Sequence, residues 1–322
     1  MQNQSGSSSS INGSLAWQTS LPCVFLGMCA AVGLPCNVAV VVTLAFKVKK
    51  KVDFTKKLIL NLAVCDILSL AMVPAIIYFL LLGRLQEDWM CKLFSFVMYL
   101  SLYASVLTVT LMSVHRAHVV MERCPNRFQK ENLHKVRQTV KLIALWVLAF
   151  VLALPIIPTR NIVKKEGRGE YYRCQIQTDS DSRRVAILLY EILLGFFIPF
   201  VVLVTSYCCL CREMRKHKAA CSRQQVATQR TAVMVASIVV MFFVFWTPVH
   251  VISAVDIAAI LSKSSEPDTY GQLKTFRKNI GHFVKTLTFI NCCLHPFLYA
   301  FALKRRSRRE ASEMVLSASS SS

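Results

Sequence analysis

The chain has 322 residues, 54% of them hydrophobic and only 17% charged, with a net charge of +21. A soluble chain of this size interleaves charge with its core. Here charge collects in short blocks between apolar runs, which excludes a soluble fold, and the length of those runs excludes a β-barrel. The basic excess reads as membrane topology and attraction to anionic inner-leaflet lipid, not as nucleic-acid binding.

Seven runs are long enough to cross a bilayer, at roughly 21–46, 58–82, 92–120, 138–158, 185–210, 231–261 and 280–303. The predicted fold is therefore an all-α membrane protein, a seven-transmembrane helix bundle over 21–303 with its termini on opposite sides. Residues 1–20 are polar, Ser-rich and free of Lys or Arg, and are expected to form an extracellular tail. No cleavable signal peptide is visible there, so the first run is expected to act as its own signal. Asn3 and Asn12 each open a glycosylation sequon, which fits a lumenal tail. Lys47, Lys49, Lys50, Lys51, Lys56 and Lys57 follow the first run at once. Blocks 47–57, 117–141, 212–230 and 304–309 hold 23 Lys and Arg against 13 on the other side, so those blocks are assigned to the cytoplasm.

Within the first run, Gly33-Leu34-Pro35-Cys36-Asn37 predicts a kink ending in a buried amide. The second carries Asp66 deep in its span, either a functional group or a structural carboxylate bonded to neighbouring helices. The third begins near Cys91 and ends in Ser113-Val114-His115-Arg116. The 25 residue steps from Cys91 to Arg116 make a helix of about 38 Å, longer than a hydrocarbon core of about 30 Å. One helix thus ties a cysteine at one interface to an arginine at the other.

Cys91 and Cys174 both fall in outward-facing polar segments that mature in an oxidising lumen. A disulfide between them is expected to pin the 160–184 loop to the top of the third helix. Most of the remaining cysteines lie in apolar runs, where a thiol behaves as a small hydrophobe, and no paired CxxC marks a metal site. The fourth run has Trp146 and Pro155, the fifth Pro199 and Tyr207. The sixth reads Phe242-Phe243-Val244-Phe245-Trp246-Thr247-Pro248, the seventh Asn291-Cys292-Cys293-Leu294-His295-Pro296-Phe297-Leu298-Tyr299. Prolines inside spans kink helices and free carbonyls, so this bundle is built to bend. Residues 304–322 are expected to form a short amphipathic eighth helix on the inner leaflet and a cytoplasmic tail. Ser317 and Ser319 to Ser322 are candidates for receptor kinases and arrestin recruitment, or else a solubilising end. No Gly-rich phosphate loop is present, and no enzyme activity is expected.

The ordered set Asn37; Leu62-Ala63 with Asp66; Trp89 and Cys91; Arg116; Trp146; Pro199 and Tyr207; Phe242, Trp246 and Pro248; Pro296 and Tyr299 resembles the rhodopsin-like (class A) G protein-coupled receptors over essentially the whole chain. Tyr103-Ala104-Ser105-Val106-Leu107 and Phe245-Trp246-x-Pro248-x-His250-Val251 look most like the chemoattractant group, closest to leukotriene B4 receptors. That resemblance implies a multi-pass plasma-membrane receptor for an extracellular lipid-acid agonist. It also implies a heterotrimeric G protein of the inhibitory class as partner, in chemotaxis or inflammation. Receptors for chemotactic peptides of the formyl-peptide or complement type share the remaining features.

The outer half of the bundle carries polar groups that lipid would not tolerate. Arg160 ends the fourth helix, Arg184 begins the fifth, Glu191 lies eight residues before Pro199 and Lys285 eleven before Pro296. Three cations against one acid point to an anionic ligand, with apolar and aromatic walls for an acyl chain. Snorkelling of Arg160 and Arg184 to headgroups is the competing reading. The resemblance adds Tyr103 and His250 as inward-facing. A retinal Schiff base is disfavoured, because the opsin lysine would fall at Phe289, about a turn deeper than Lys285. A transporter is disfavoured by the lack of internal repeats.

In the family, an acid before Arg116 restrains it until activation, when it swings toward Tyr207. Here that acid is His115. The residue before the seventh-helix proline, Asn or Asp in the family, is His295. Asn37, Asp66, Ser105 and Asn291 keep the groups with which such receptors hold an inhibitory sodium ion, but imidazole is a poor ligand for a hard cation. A protonated His295 beside Asp66 is expected to take the ion's place. Both changes predict a weaker inactive-state lock, with raised basal signalling and reduced sodium sensitivity, or a decoy-like receptor that couples weakly. No cofactor is expected apart from that weakened sodium site.

Overall fold

A computed structural model describes residues 6–47, 54–82, 87–121, 131–165, 171–216 and 222–319. Seven helical crossings close into a ring. The first, Gly6–Lys47, packs on the second and seventh, and the seventh also lies along the sixth. The third, Asp88–Met121, runs through the middle and touches the second, fourth, fifth and sixth. Six crossings qualify on length and hydropathy among the described residues. The remaining one is the helix Pro267–Ser319.

Prolines decide where the helices break. The second crossing is two helices, Phe54–Ala71 and Val73–Leu82. Pro74 lacks an N–H and crowds the carbonyl four residues back, so the ladder opens at Met72, whose N–H turns to the Ser69 carbonyl at 3.2 Å. The fourth, Glu131–Ala153, tightens into a 3₁₀ turn over Leu154–Thr159, a segment containing Pro155 and Pro158. The fifth runs Asp181–Ile192, widens to a π-turn at Leu193–Phe197, and resumes at Ile198–Lys216, just where Pro199 cannot donate. The sixth, Ser222–Ser262, and the seventh stay helical through Pro248 and Pro296.

The first helix begins at Gly6, well before the apolar run at 21, so part of the predicted tail is helical. Asn3 and the Asn12 side chain lie outside the described residues. Beyond the seventh crossing the backbone remains helical to Ser319 without an intervening turn. The Tyr299 side chain and those of the terminal serines are also outside the described set.

Inside hydrocarbon every polar group must find its partner within the protein. Asn61 shows how. Its Nδ2 donates to Thr108 Oγ1 at 2.6 Å and its Oδ1 accepts from Trp146 Nε1 at 2.8 Å, stitching the second, third and fourth crossings at one level. Below that stitch Leu58, Leu62, Val109, Met112, Leu203 and Ile238 form one apolar cluster from four crossings. Val140, Val147, Val151, Val240, Val244 and Val251 are exposed on the outside, as a lipid-facing surface requires.

The 160–184 segment, expected as a loop, contains a hairpin: β1 (Arg160–Lys165) pairs antiparallel with β2 (Tyr171–Ile176), Ile162 opposite Cys174. The expected Cys91–Cys174 disulfide is present, with Cα atoms 5.6 Å apart. The Ile162 N–H donates to the Asp88 carboxylate at 2.9 Å, a second tie to the top of the third crossing. These ties fix Arg160, the first residue of β1, at the mouth of the bundle.

Candidate functional site

Two ion-pair groups line that mouth. In the first, Arg160 Nη2 lies 2.8 Å from Glu191 Oε1, with both side chains 11% exposed. Tyr99 completes a triangle: its hydroxyl donates to Glu191 at 2.8 Å and accepts from Arg160 at 2.6 Å, while the guanidinium sits 5.2 Å from its ring centroid. Burial alone would lower the Arg160 pKa, but Tyr99 and Glu191 more than offset it and hold the group above the ordinary arginine value. Arg160 therefore does not snorkel to headgroups. Tyr99 escaped the sequence reading; the available signal was its place one helical turn before Tyr103, on the same face. Tyr103 is buried, its ring 6.2 Å from that of Tyr99, and its hydroxyl has no hydrogen-bond partner.

In the second group Arg184 meets Asp256 at 3.0 Å, and Arg277 bonds to the other oxygen of the same carboxylate. This corrects the expected three-to-one balance of cations to acids. The sixth crossing supplies a second acid and the seventh a further arginine. At the rim, Lys263 lies 2.7 Å from Asp181, whose hydrogen bond and charge raise the Lys263 pKa. Lys285 lies within electrostatic reach of Arg160, Glu191, Arg277 and Asp256, so it sits between the two groups. Its side chain is solvent-accessible even though protein surrounds it, and among the described residues no carboxylate is within ion-pairing distance of its ammonium.

His250 lies apart from these charges. It is 8% exposed, and neither ring nitrogen has a partner among the described residues. Its ring centroid is 4.8 Å from Phe196 and 6.1 Å from Trp246, one turn below it. Gly195 in the π-turn faces it, and a Cβ there would stand 3.6 Å from the imidazole. Trp246 in turn stacks on Phe242 at 5.9 Å. An open apolar groove of about 550 Å³ lies between the sixth and seventh crossings, lined by Thr247, Pro248, Val251, Phe276 and Ile280 among others; it is a separate feature from the polar mouth.

Deeper, Asp66 and His295 meet at 3.0 Å with both side chains 2% exposed. The Cys292 thiol also bonds to Asp66. Asn37 donates to the Gly33 and Cys292 carbonyls at 2.9 and 2.8 Å, and Asn291 is buried nearby in sequence to His295. Ser105, expected to join this group, is half-buried and without a hydrogen-bond partner among the described residues. Ser101, one turn outward, bonds instead to the Cys65 carbonyl at 2.6 Å and to Ser69 at 2.7 Å. At the opposite end of the bundle Arg116 donates to Thr55 Oγ1 at 2.8 Å, and His115 stands edge-on to Phe54 at 4.9 Å. Tyr207 is 49% exposed on the fifth crossing.

Comparison with known proteins places this geometry. The chain is 30% identical to leukotriene B4 receptor 1 of Homo sapiens over 284 residues, 88% of this chain and 76% of that one. It is 30% identical to neuropeptides B/W receptor type 1 of Mus musculus over 302 residues, 92% and 86% of the two chains. Atypical chemokine receptor 3 of Canis lupus familiaris is 29% identical over 260 residues, 78% of this chain and 67% of that one. The family model for the 7 transmembrane receptor (rhodopsin family) matches residues 36–299, and the chain belongs to that family of multi-pass membrane receptors, which are not enzymes.

Proposed function

We propose that this receptor recognises an extracellular anionic lipid mediator of the leukotriene B4 kind and signals through a heterotrimeric G protein of the inhibitory class. The observation that carries the reading is Lys285, a cation between two ion-pair groups with no carboxylate of its own. Among the described residues, Arg160, Arg184, Arg277 and Lys285 face two acids, Glu191 and Asp256, which leaves excess positive charge there. A ligand acid group supplies the missing anion, and the low dielectric strengthens that bond. Tyr103 and His250 retain polar atoms without partners and are assigned to the ligand's hydroxyls. In this reading the N-terminus is extracellular, and Trp246 at Pro248 transmits occupancy to the sixth crossing.

The test compares leukotriene B4 with its methyl ester on Lys285→Ala. The expected result is a loss of acid affinity of about 10-fold or more with little change for the ester. Equal losses for both remove Lys285 from the site. The relation to a neuropeptide receptor supports a second reading, a peptide with an acidic end; a calcium or cyclic-AMP response to chemotactic peptides and none to eicosanoid acids would select it. His115 in place of the family's acid supports a weakly coupling receptor; ligand binding with no nucleotide exchange on a trimeric G protein would select that.

A further inference from the structure

The Arg184–Asp256–Arg277 group joins three crossings through one carboxylate. Arg184 lies in the first turn of the fifth, Asp256 one and a half turns before the end of the sixth, and Arg277 ten residues into the seventh. Asp256 is the most enclosed of the three, its side chain 14% exposed against 27% for Arg184 and 35% for Arg277. Each arginine takes a different oxygen of Asp256, so the carboxylate is shared and the group carries one excess positive charge. Arg184 Nε is buried without an acceptor, as is Arg160 Nε in the neighbouring group. Among the described residues, each of these two guanidinium groups therefore keeps a donor that no acceptor meets.

We propose that Asp256 is an internal stand-in for the ligand's acid group: it holds the outer ends of the fifth, sixth and seventh crossings together in the resting receptor and yields its arginines to an incoming carboxylate. The proposal rests on the anionic-ligand reading and adds to it a specificity-determining residue, together with a route from binding to the sixth crossing. An acid that takes Arg184 or Arg277 leaves Asp256 with one partner instead of two, and the outer end of the sixth crossing loses half its tie. An uncharged analogue cannot make this exchange, so selection for acids and release of the clasp are one event. An incoming carboxylate stands beside Asp256 as a like charge, so the two anions compete for the same guanidinium groups.

The experiment uses full-length receptor in membranes and Asp256→Asn, with Arg277→Gln as the second variant and surface expression as the control on folding. Asp256→Asn is expected to raise ligand-free nucleotide exchange and to tighten leukotriene B4 binding by about 5-fold or more, leaving the methyl ester unchanged. Arg277→Gln, which leaves a neutral Arg184–Asp256 pair, is expected to weaken the acid and spare the ester. Unchanged basal exchange with acid and ester affected alike in Asp256→Asn overturns the proposal and leaves the group a structural tie. If wild-type receptor ignores leukotriene B4, the ligand reading falls by itself. Basal exchange then decides the clasp: a rise in Asp256→Asn supports it and no rise overturns it.

Discussion

At the scale of single residues, burial separates the charges at the mouth from those held deep in the bundle. Asp66 and His295 are as enclosed as apolar core residues, and they lie 3.0 Å apart. A buried carboxylate without a partner at this depth is costly, and the His295 ring supplies one from within. Agonist binding and basal exchange are expected to be the same in sodium and choline media. His295→Asn replaces the imidazole with an amide of similar reach, and is expected to make basal exchange fall as sodium is added. Wild-type signalling that sodium already depresses would remove His295 from this role. Glu191 and Asp256, by contrast, sit at an open mouth beside unpaired donors, and their pairs can be exchanged.

At the scale of elements, the helices were legible because hydropathy over a span's length is a strong signal, and the prolines showed where they bend. Whether a proline breaks a helix, widens it or leaves it continuous was not legible: Pro74, Pro199 and Pro248 have the three outcomes. The hairpin was hidden because its strands, Arg160–Lys165 and Tyr171–Ile176, mix charge and apolar residues without a clean alternation. Asp256 and Arg277 were passed over because a charge near the end of an apolar run looks like a residue at the headgroups; only the fold brings them onto Arg184. Close approach between crossings was equally invisible. A Cβ on Gly33 would stand 2.7 Å from Leu70 Cδ1 and 3.0 Å from Cys293 Sγ, and Leu70 is wholly buried and cannot move aside. Gly33→Ala is expected to lower stability by about 1–3 kcal/mol, read as an earlier thermal unfolding midpoint in detergent. Gly27→Ala is the control, since there the nearest atom, Ile77 Cδ1, is 3.9 Å away. A shared loss would point to a general cost of altering the first crossing.

At the scale of the whole molecule, the resting state is tied at both ends by different chemistry. The outer tie is ionic and spans the fifth, sixth and seventh crossings through Asp256. The inner one joins the third crossing to the second. Arg116 donates to the Thr55 hydroxyl where the family's pattern sets an acid beside it, and the side chain in that acid's place, His115, packs its ring edge on Phe54. The position before Arg116 thus offers it an imidazole in place of a carboxylate. His115→Asp supplies the carboxylate and is expected to lower ligand-free nucleotide exchange by about 2- to 5-fold, corresponding to about 0.5–1 kcal/mol for a half-exposed pair. Paired with Asp256→Asn, which acts on the outer tie in the opposite direction, it should return basal exchange toward the wild-type level if both ties bias one two-state equilibrium. A double variant that behaves as Asp256→Asn alone would mean that the two ends are not coupled, and that occupancy at the mouth reaches the G protein by a route that does not pass through Arg116.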